Sequence, residues 1–78
     1  MPTVLRLQGY RFFFYSVEGK EPPHIHVERG DETAKFWLSP VELAGSHGFR
    51  SHELARLRVM IYEQRVAFLE AWNVHFGD

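Results

Sequence analysis

Apolar and polar side chains alternate with a period of two through most of the first half of the chain, which is typical of half-buried β-strands. Turn-forming residues interrupt this alternation and divide it into strands predicted at about 3–7, 10–16, 24–28 and 33–38. The connections between these strands are short, and short connections favour antiparallel pairing of successive strands. We therefore expect a four-stranded, mostly antiparallel meander.

The spacing of apolar residues changes to a helical period after the fourth predicted strand. The run Ser39-Pro40-Val41-Glu42 has the form of a capping box with proline at the first helical position, and it predicts a short helix at about 40–44. Ser51 is the expected N-cap of a long helix at about 52–75, which Gly77 ends. The prediction is an α+β fold in which a short helix and a long C-terminal helix pack on one face of the sheet.

The same alternation sorts the strand residues onto two faces of the predicted sheet. The face that should carry the long helix is apolar and consists of Tyr10, Phe12, Phe14, Ile25, Val27, Ala34, Phe36 and Leu38. The opposite face mixes cations, imidazoles and aromatic rings and consists of Arg11, Phe13, Tyr15, His24, His26, Glu28, Lys35 and Trp37. This second face is the surface on which we expect function to reside.

The long helix carries two apolar stripes on a helical wheel. The broad stripe, which should lie on the sheet, consists of Leu54, Leu57, Ile61, Phe68, Leu69, Trp72 and Phe76. The narrower stripe consists of Ala55, Val59, Tyr62 and Val66. A helix of about 24 residues is ~36 Å long, whereas a domain of this size has a diameter of ~30 Å. We therefore expect the helix to overhang its sheet or its second stripe to meet another chain, as in a homodimer or a complex with a small partner protein.

Length, charge and composition narrow the class of protein. The 78 residues form one small domain, 1–78, and the chain has no cysteine, so neither disulfides nor thiolate metal clusters supplement its core. The formal net charge of −1 argues against binding of nucleic acid by bulk charge alone. Apolar runs are too short to span a membrane and the N-terminus lacks a signal-peptide pattern, so we expect a cytoplasmic microbial protein with no membrane contact.

The segment Pro22-Pro23-His24-Ile25-His26-Val27-Glu28 is the most informative part of the chain. Its alternation directs both imidazoles and the Glu28 carboxylate to the mixed face. Rings beside cations are typical of sheet surfaces that bind single-stranded RNA, and imidazoles can supply acid–base catalysis without a metal. In a ribonuclease reading His24 or His26 is the general acid or base. The mixed face could equally be covered by a partner protein or simply solvated.

The other mixed-face residues have roles that follow from the same reading. Arg11 and Lys35 would stabilise phosphate charge, and Tyr15 or Trp37 would stack a base. Arg65, a cation within the apolar helix stripe, either extends its charge to solvent or contacts an anionic ligand or partner residue.

A metal site is not predicted, and neither is a cofactor. Residues four apart on a flat strand lie ~13 Å apart, so Glu28 cannot share one ion with His24. His24 and His26 would need a third ligand from Glu21, His47 or His52.

The chain resembles a small prokaryotic domain-of-unknown-function family, the one numbered four-one-six-zero. The resemblance is carried by Met1-Pro2-Thr3-Val4, Gly9-Tyr10-Arg11-Phe12-Phe13-Phe14-Tyr15-Ser16, Glu21-Pro22-Pro23-His24-Ile25-His26-Val27-Glu28-Arg29-Gly30, Ala34-Lys35-Phe36-Trp37-Leu38 and Glu70-Ala71-Trp72. It implies the toxin half of a type II toxin–antitoxin module, with a small antitoxin-like partner and RNA or translation as the target. The competing expectation is a non-catalytic interaction or regulatory module that binds a partner protein through the long helix.

Overall fold

The computed structural model describes residues 3–17 and 19–77. Within these residues a five-stranded sheet precedes two helices. The strands are β1 (Thr3–Leu7), β2 (Tyr10–Phe13), β3 (His24–Arg29), β4 (Glu32–Leu38) and β5 (Val41–His47), and the helices are α1 (Ser51–Glu63) and α2 (Arg65–Phe76). The strands lie in the order of the chain and every neighbouring pair is antiparallel. The predicted α+β class with an antiparallel meander is confirmed.

A two-residue turn sets the register of the first hairpin. Leu7 pairs with Tyr10, and between them Gln8 and Gly9 have φ values of 53° and 85°. Positive φ at both central residues is the geometry that matches the twist of paired strands, and glycine adopts it without steric cost. The turn therefore fixes which side chains of β2 face the helices.

The apolar face predicted from the alternation is the core of the molecule. All eight of its residues are buried in one cluster with the helices. The buried helix residues are Leu57, Met60, Ile61, Phe68 and Trp72. Burial of large rings is what allows a small chain without disulfides to close a core.

The predicted short helix at 40–44 is wrong, because this segment begins β5. The Ser39–Pro40 peptide bond is cis, and β5 pairs with β4 from Leu38↔Val41 to Thr33↔His47. The local capping pattern is overridden because the outer edge of β4 would otherwise leave its backbone groups without a strand partner.

The predicted long helix is interrupted at Gln64, which separates α1 from α2. Gln64 has φ −101° and ψ 10°, and its N–H group is shared between the carbonyl oxygens of Met60 and Ile61 at 3.1 Å each. The two halves are about 20 and 18 Å long, and the longest extent of the molecule is 34 Å. The expected overhang is therefore not required.

An ion-pair network joins the β3–β4 turn to the first turn of α1. Arg29 Nη2 donates to Glu32 Oε1 at 2.7 Å and also to Glu53 Oε2, and Arg29 Nη1 donates to the Tyr10 hydroxyl at 3.1 Å. Glu53 Oε1 accepts the backbone N–H of Arg50 at 3.0 Å. The hydrogen bonds from Arg50 and Arg29 lower the pKa of Glu53, and those to Glu53 and Glu32 raise the pKa of Arg29.

The lowered pKa of Glu53 predicts a specific dependence of stability on pH. Because the folded-state pKa lies below the unfolded value of 4.5, the stabilisation is present above that value and is lost as the pH falls through the folded pKa. We expect Glu53→Gln to be less stable than the native chain near neutral pH and to approach its stability as the pH falls below 4.5 and the native carboxylate becomes protonated. Urea unfolding across this range measures the difference, with the exposed Glu70→Gln as control. A stability difference that does not change with pH would contradict the prediction.

Candidate functional site

Three packed rings form the centre of the mixed face, and we call Phe13, Tyr15 and His26 the His26 cluster. The rings of Phe13 and His26 are nearly parallel, with an interplanar angle of 23° and centroids 5.4 Å apart. Tyr15 meets His26 edge-on at 4.7 Å. The guanidinium of Arg11 lies 4.3 Å from the Phe13 ring centroid. Phe13 is consequently only 2% exposed although it lies on the face away from the helices.

Strand register positions this cluster. Phe13 of β2 is opposite His26 of β3, which is opposite Lys35 of β4. Arg11 is opposite Glu28 one step along the same face. Directly opposed residues have side chains within contact distance on one face of a sheet, so the alternation correctly placed these five residues on one face.

Arg11 and Lys35 are each paired with a carboxylate. Arg11 Nη1 lies 3.0 Å from Glu28 Oε2, and Arg11 Nε donates to Thr3 Oγ1 at 2.9 Å. Lys35 Nζ lies 2.6 Å from Glu21 Oε1. An incoming anion must therefore compete with Glu28 or Glu21 for its cation. The cost of that competition is small where the pair is exposed to solvent.

His24 does not lie on the open part of the face, and the expectation that both imidazoles point outward is wrong for this residue. Its side chain is fully buried, and Nδ1, which carries the proton, donates to the carbonyl oxygen of Pro22 at 2.9 Å. Its ring centroid lies 4.8 Å from Trp72 of α2 and 5.1 Å from His26. His24 is the first residue of β3, where the last turns of α2 reach the end of the sheet. The catalytic role of His24 stays a prediction. Its burial and its contact with the ring of His26 indicate that it supports the position of His26.

The remaining predicted residues divide between the face and the helix layer. Trp37 is half-buried, 5.7 Å from His24 between ring centroids, and Lys35 Nζ lies 4.6 Å from its ring. Arg65 is the first residue of α2, where its guanidinium lies 5.6 Å from the ring of Tyr62. Arg65 is therefore not brought together with the His26 cluster.

A cavity of about 340 Å³ opens beside the His26 cluster, between β3, β4 and β5. Tyr15, His26 and Lys35 line it, and so do Gly45 and His47 of β5. From the sequence, His47 was considered a possible third metal ligand beside His24 and His26, and not a residue of the mixed face. It was missed as a member of this face because the preceding residues were predicted as a helix, so no alternation was extended to it.

Residues 3–17 and 19–77 contain no group of three or more histidine, aspartate or glutamate side chains arranged to hold a metal ion. The same residues contain no helix with the length and hydropathy needed to cross a bilayer.

The fold and the site define a small α+β protein with one helix-covered face and one aromatic and cationic face. The chain belongs to the family described as Domain of unknown function (DUF4160), whose model matches residues 9–73. The matched range includes every residue of the His26 cluster and both cations beside it. No curated protein and no solved structure matches the chain.

The burial of His24 predicts that its loss acts through stability. Truncation removes a buried ring and its hydrogen bond to Pro22, so His24→Ala should destabilise the fold by about 2–4 kcal/mol. His26→Ala removes a partly exposed ring and should cost about 1 kcal/mol or less. Urea unfolding of both variants measures the difference. Equal losses of stability would show that the two histidines have the same structural role, contrary to their burial.

Proposed function

We propose that the protein is the toxin-like component of a bacterial type II toxin–antitoxin pair and that it acts on RNA or translation through the mixed face. The observation that carries the proposal is the His26 cluster, in which a partly exposed imidazole and phenol surround a buried phenyl ring. Aromatic side chains beside cations bind single-stranded RNA by stacking its bases and contacting its phosphates.

The residues of the face have complementary roles in this proposal. His26 is the general acid or base of a metal-independent ribonuclease, since an imidazole exchanges protons near neutral pH. Arg11 and Lys35 stabilise phosphate charge, and Tyr15 or Trp37 stacks a base. Glu28 orients Arg11, with which it is paired at 3.0 Å.

The small net charge favours recognition by local contacts. With a formal charge of −1 the chain has no general attraction for nucleic acid. Arg11 and Lys35 are held by carboxylates at 3.0 and 2.6 Å. Such a surface favours an RNA whose bases are unstacked and available, because stacking contributes to binding independently of bulk charge.

Expression of the chain alone in a bacterium tests the proposal. We expect growth arrest and reduced incorporation of labelled amino acids, and we expect His26→Ala to relieve both at an equal amount of folded protein. His52→Ala is the matched control, because His52 is an exposed histidine in the first turn of α1. Normal growth with the native chain, or equal arrest with His26→Ala, would contradict the proposal.

The second candidate function is a non-catalytic interaction module, and the exposure of the narrow helix stripe favours it. Val59, Tyr62 and Val66 are 54%, 64% and 66% exposed. Arg65 lies beside this stripe, and its guanidinium is 5.6 Å from the centre of the Tyr62 ring. Exposed aromatic and aliphatic residues beside an arginine are typical of protein interfaces. In this reading the stripe binds a second copy of the chain or a small partner protein.

The homodimer version of the second candidate predicts a change of mass on mutation. A native chain that pairs through the stripe should have the mass of two chains by light scattering, and Val66→Glu should convert it to a monomer. A charge in the centre of an apolar interface is costly, whereas the exposed residue itself contributes little to the fold. Val74→Glu is the control, since Val74 is 86% exposed and lies off the stripe. A monomeric native chain would exclude this dimer.

A further inference from the structure

One position of β5 that lines the cavity beside the His26 cluster has no side chain. Lys35 lies opposite Gly45, and Thr33 lies opposite His47 two residues further along. A Cβ atom built on Gly45 meets no atom within 4 Å, so the space above this residue is open. The missing side chain leaves a gap in the face between Lys35 and His47.

The two walls of this cavity differ in chemistry. His26 and Gly45 are separated by one strand, so their Cα atoms lie about 10 Å apart at the usual strand spacing. Tyr15 and His26 form an aromatic wall on the β3 side, while Lys35 and His47 supply nitrogen donors toward β5. A volume of about 340 Å³ lies at the small end of the range for pockets that hold one small molecule.

We propose that this cavity binds one phosphorylated nucleotide unit of a single-stranded RNA. The base stacks against the Tyr15 ring beside His26, and the phosphate lies between Lys35 and His47. This inference rests on the proposed function and names the part of the RNA that the mixed face recognises. An aromatic wall opposite cationic donors is complementary to a ligand with a flat ring at one end and an anion at the other.

Glu21 weakens the binding of phosphate at the Lys35 end of the cavity. Its carboxylate lies 2.6 Å from Lys35 Nζ, and the two side chains are 44% and 26% exposed. A bound phosphate would displace this carboxylate from Lys35. Because the ion pair is open to solvent, its disruption costs little, and the carboxylate acts as a weak competitor.

Binding of defined probes to the purified full chain tests the inference. Calorimetry with the four 3′-nucleoside monophosphates should give at least one affinity about tenfold or more above that of inorganic phosphate, because stacking of a base adds to the phosphate contact. Equal affinity for nucleotides and inorganic phosphate would overturn the proposal in favour of a simple anion site.

A variant that fills the cavity provides the decisive comparison. Gly45→Leu places a side chain in open space and should weaken nucleotide binding about tenfold or more. Ala44→Leu is the matched control, because Ala44 is an exposed neighbour on the same strand that does not line the cavity. Thermal unfolding verifies that both variants are folded. Native affinity in a folded Gly45→Leu variant would overturn the proposal.

Two substitutions at the phosphate end should act in opposite directions. His47→Gln should weaken nucleotide binding about fivefold, since it removes a donor that can carry charge. Glu21→Gln should strengthen it about fivefold, since it removes the carboxylate that competes for Lys35. If neither substitution alters the affinity, the assignment of the phosphate to this end is wrong.

The nucleotide-binding experiments and the growth experiment can contradict their two proposals independently. Growth arrest that requires His26, in a chain that fails to bind any nucleotide, would overturn this inference and leave the proposed function standing. Nucleotide binding that Gly45→Leu abolishes, in a chain that does not arrest growth, would support the cavity and refute the toxin role.

Discussion

A sheet with helices on only one side must protect its other face with its own side chains. In the part of the chain that the structure describes, α1 and α2 bury the apolar face, and the second face remains open to solvent. Phe13 nevertheless becomes buried there, because Arg11 covers its ring and His26 and Tyr15 pack around it. The side chains that would contact a ligand are therefore also the ones that shield the sheet.

The features that could be predicted from the sequence are those that depend on short-range periodicity. The period-two alternation correctly placed the eight apolar residues of the core, and the helical period correctly placed the stripe that includes Leu57, Ile61 and Phe68. The interruption at Gln64 was missed because glutamine is a good helix former and neither glycine nor proline marks the site. The start of β5 was missed because Ser39–Glu42 has the local signature of a helix, whereas its strand conformation depends on pairing with β4.

The residues of the mixed face could be predicted to a similar extent, and the errors have similar causes. Arg11, His26 and Lys35 follow from alternation within central strands, each of which has a strand on both sides. Tyr15 has the same parity but lies beyond β2, which ends at Phe13 although the predicted strand extended to residue 16. His24 follows the same parity but lies at the end of β3, where Trp72 of α2 meets its ring at 4.8 Å. Parity specifies the face of a residue and not whether another element covers it. His47 could be assigned to the face only after β5 was known to be a strand.

The two candidate surfaces lie on opposite layers of the domain, and this separation constrains how a partner could act. The narrow helix stripe is on the helix layer, whereas the His26 cluster is on the far side of the sheet. Between them the core is packed with rings, such as Phe12 and Phe68 with centroids 5.3 Å apart. Coupling between sites on opposite sides of such a core requires an element with two discrete arrangements. A partner that blocks access to the mixed face must therefore contact that face directly. A partner bound to the narrow helix stripe leaves the mixed face accessible.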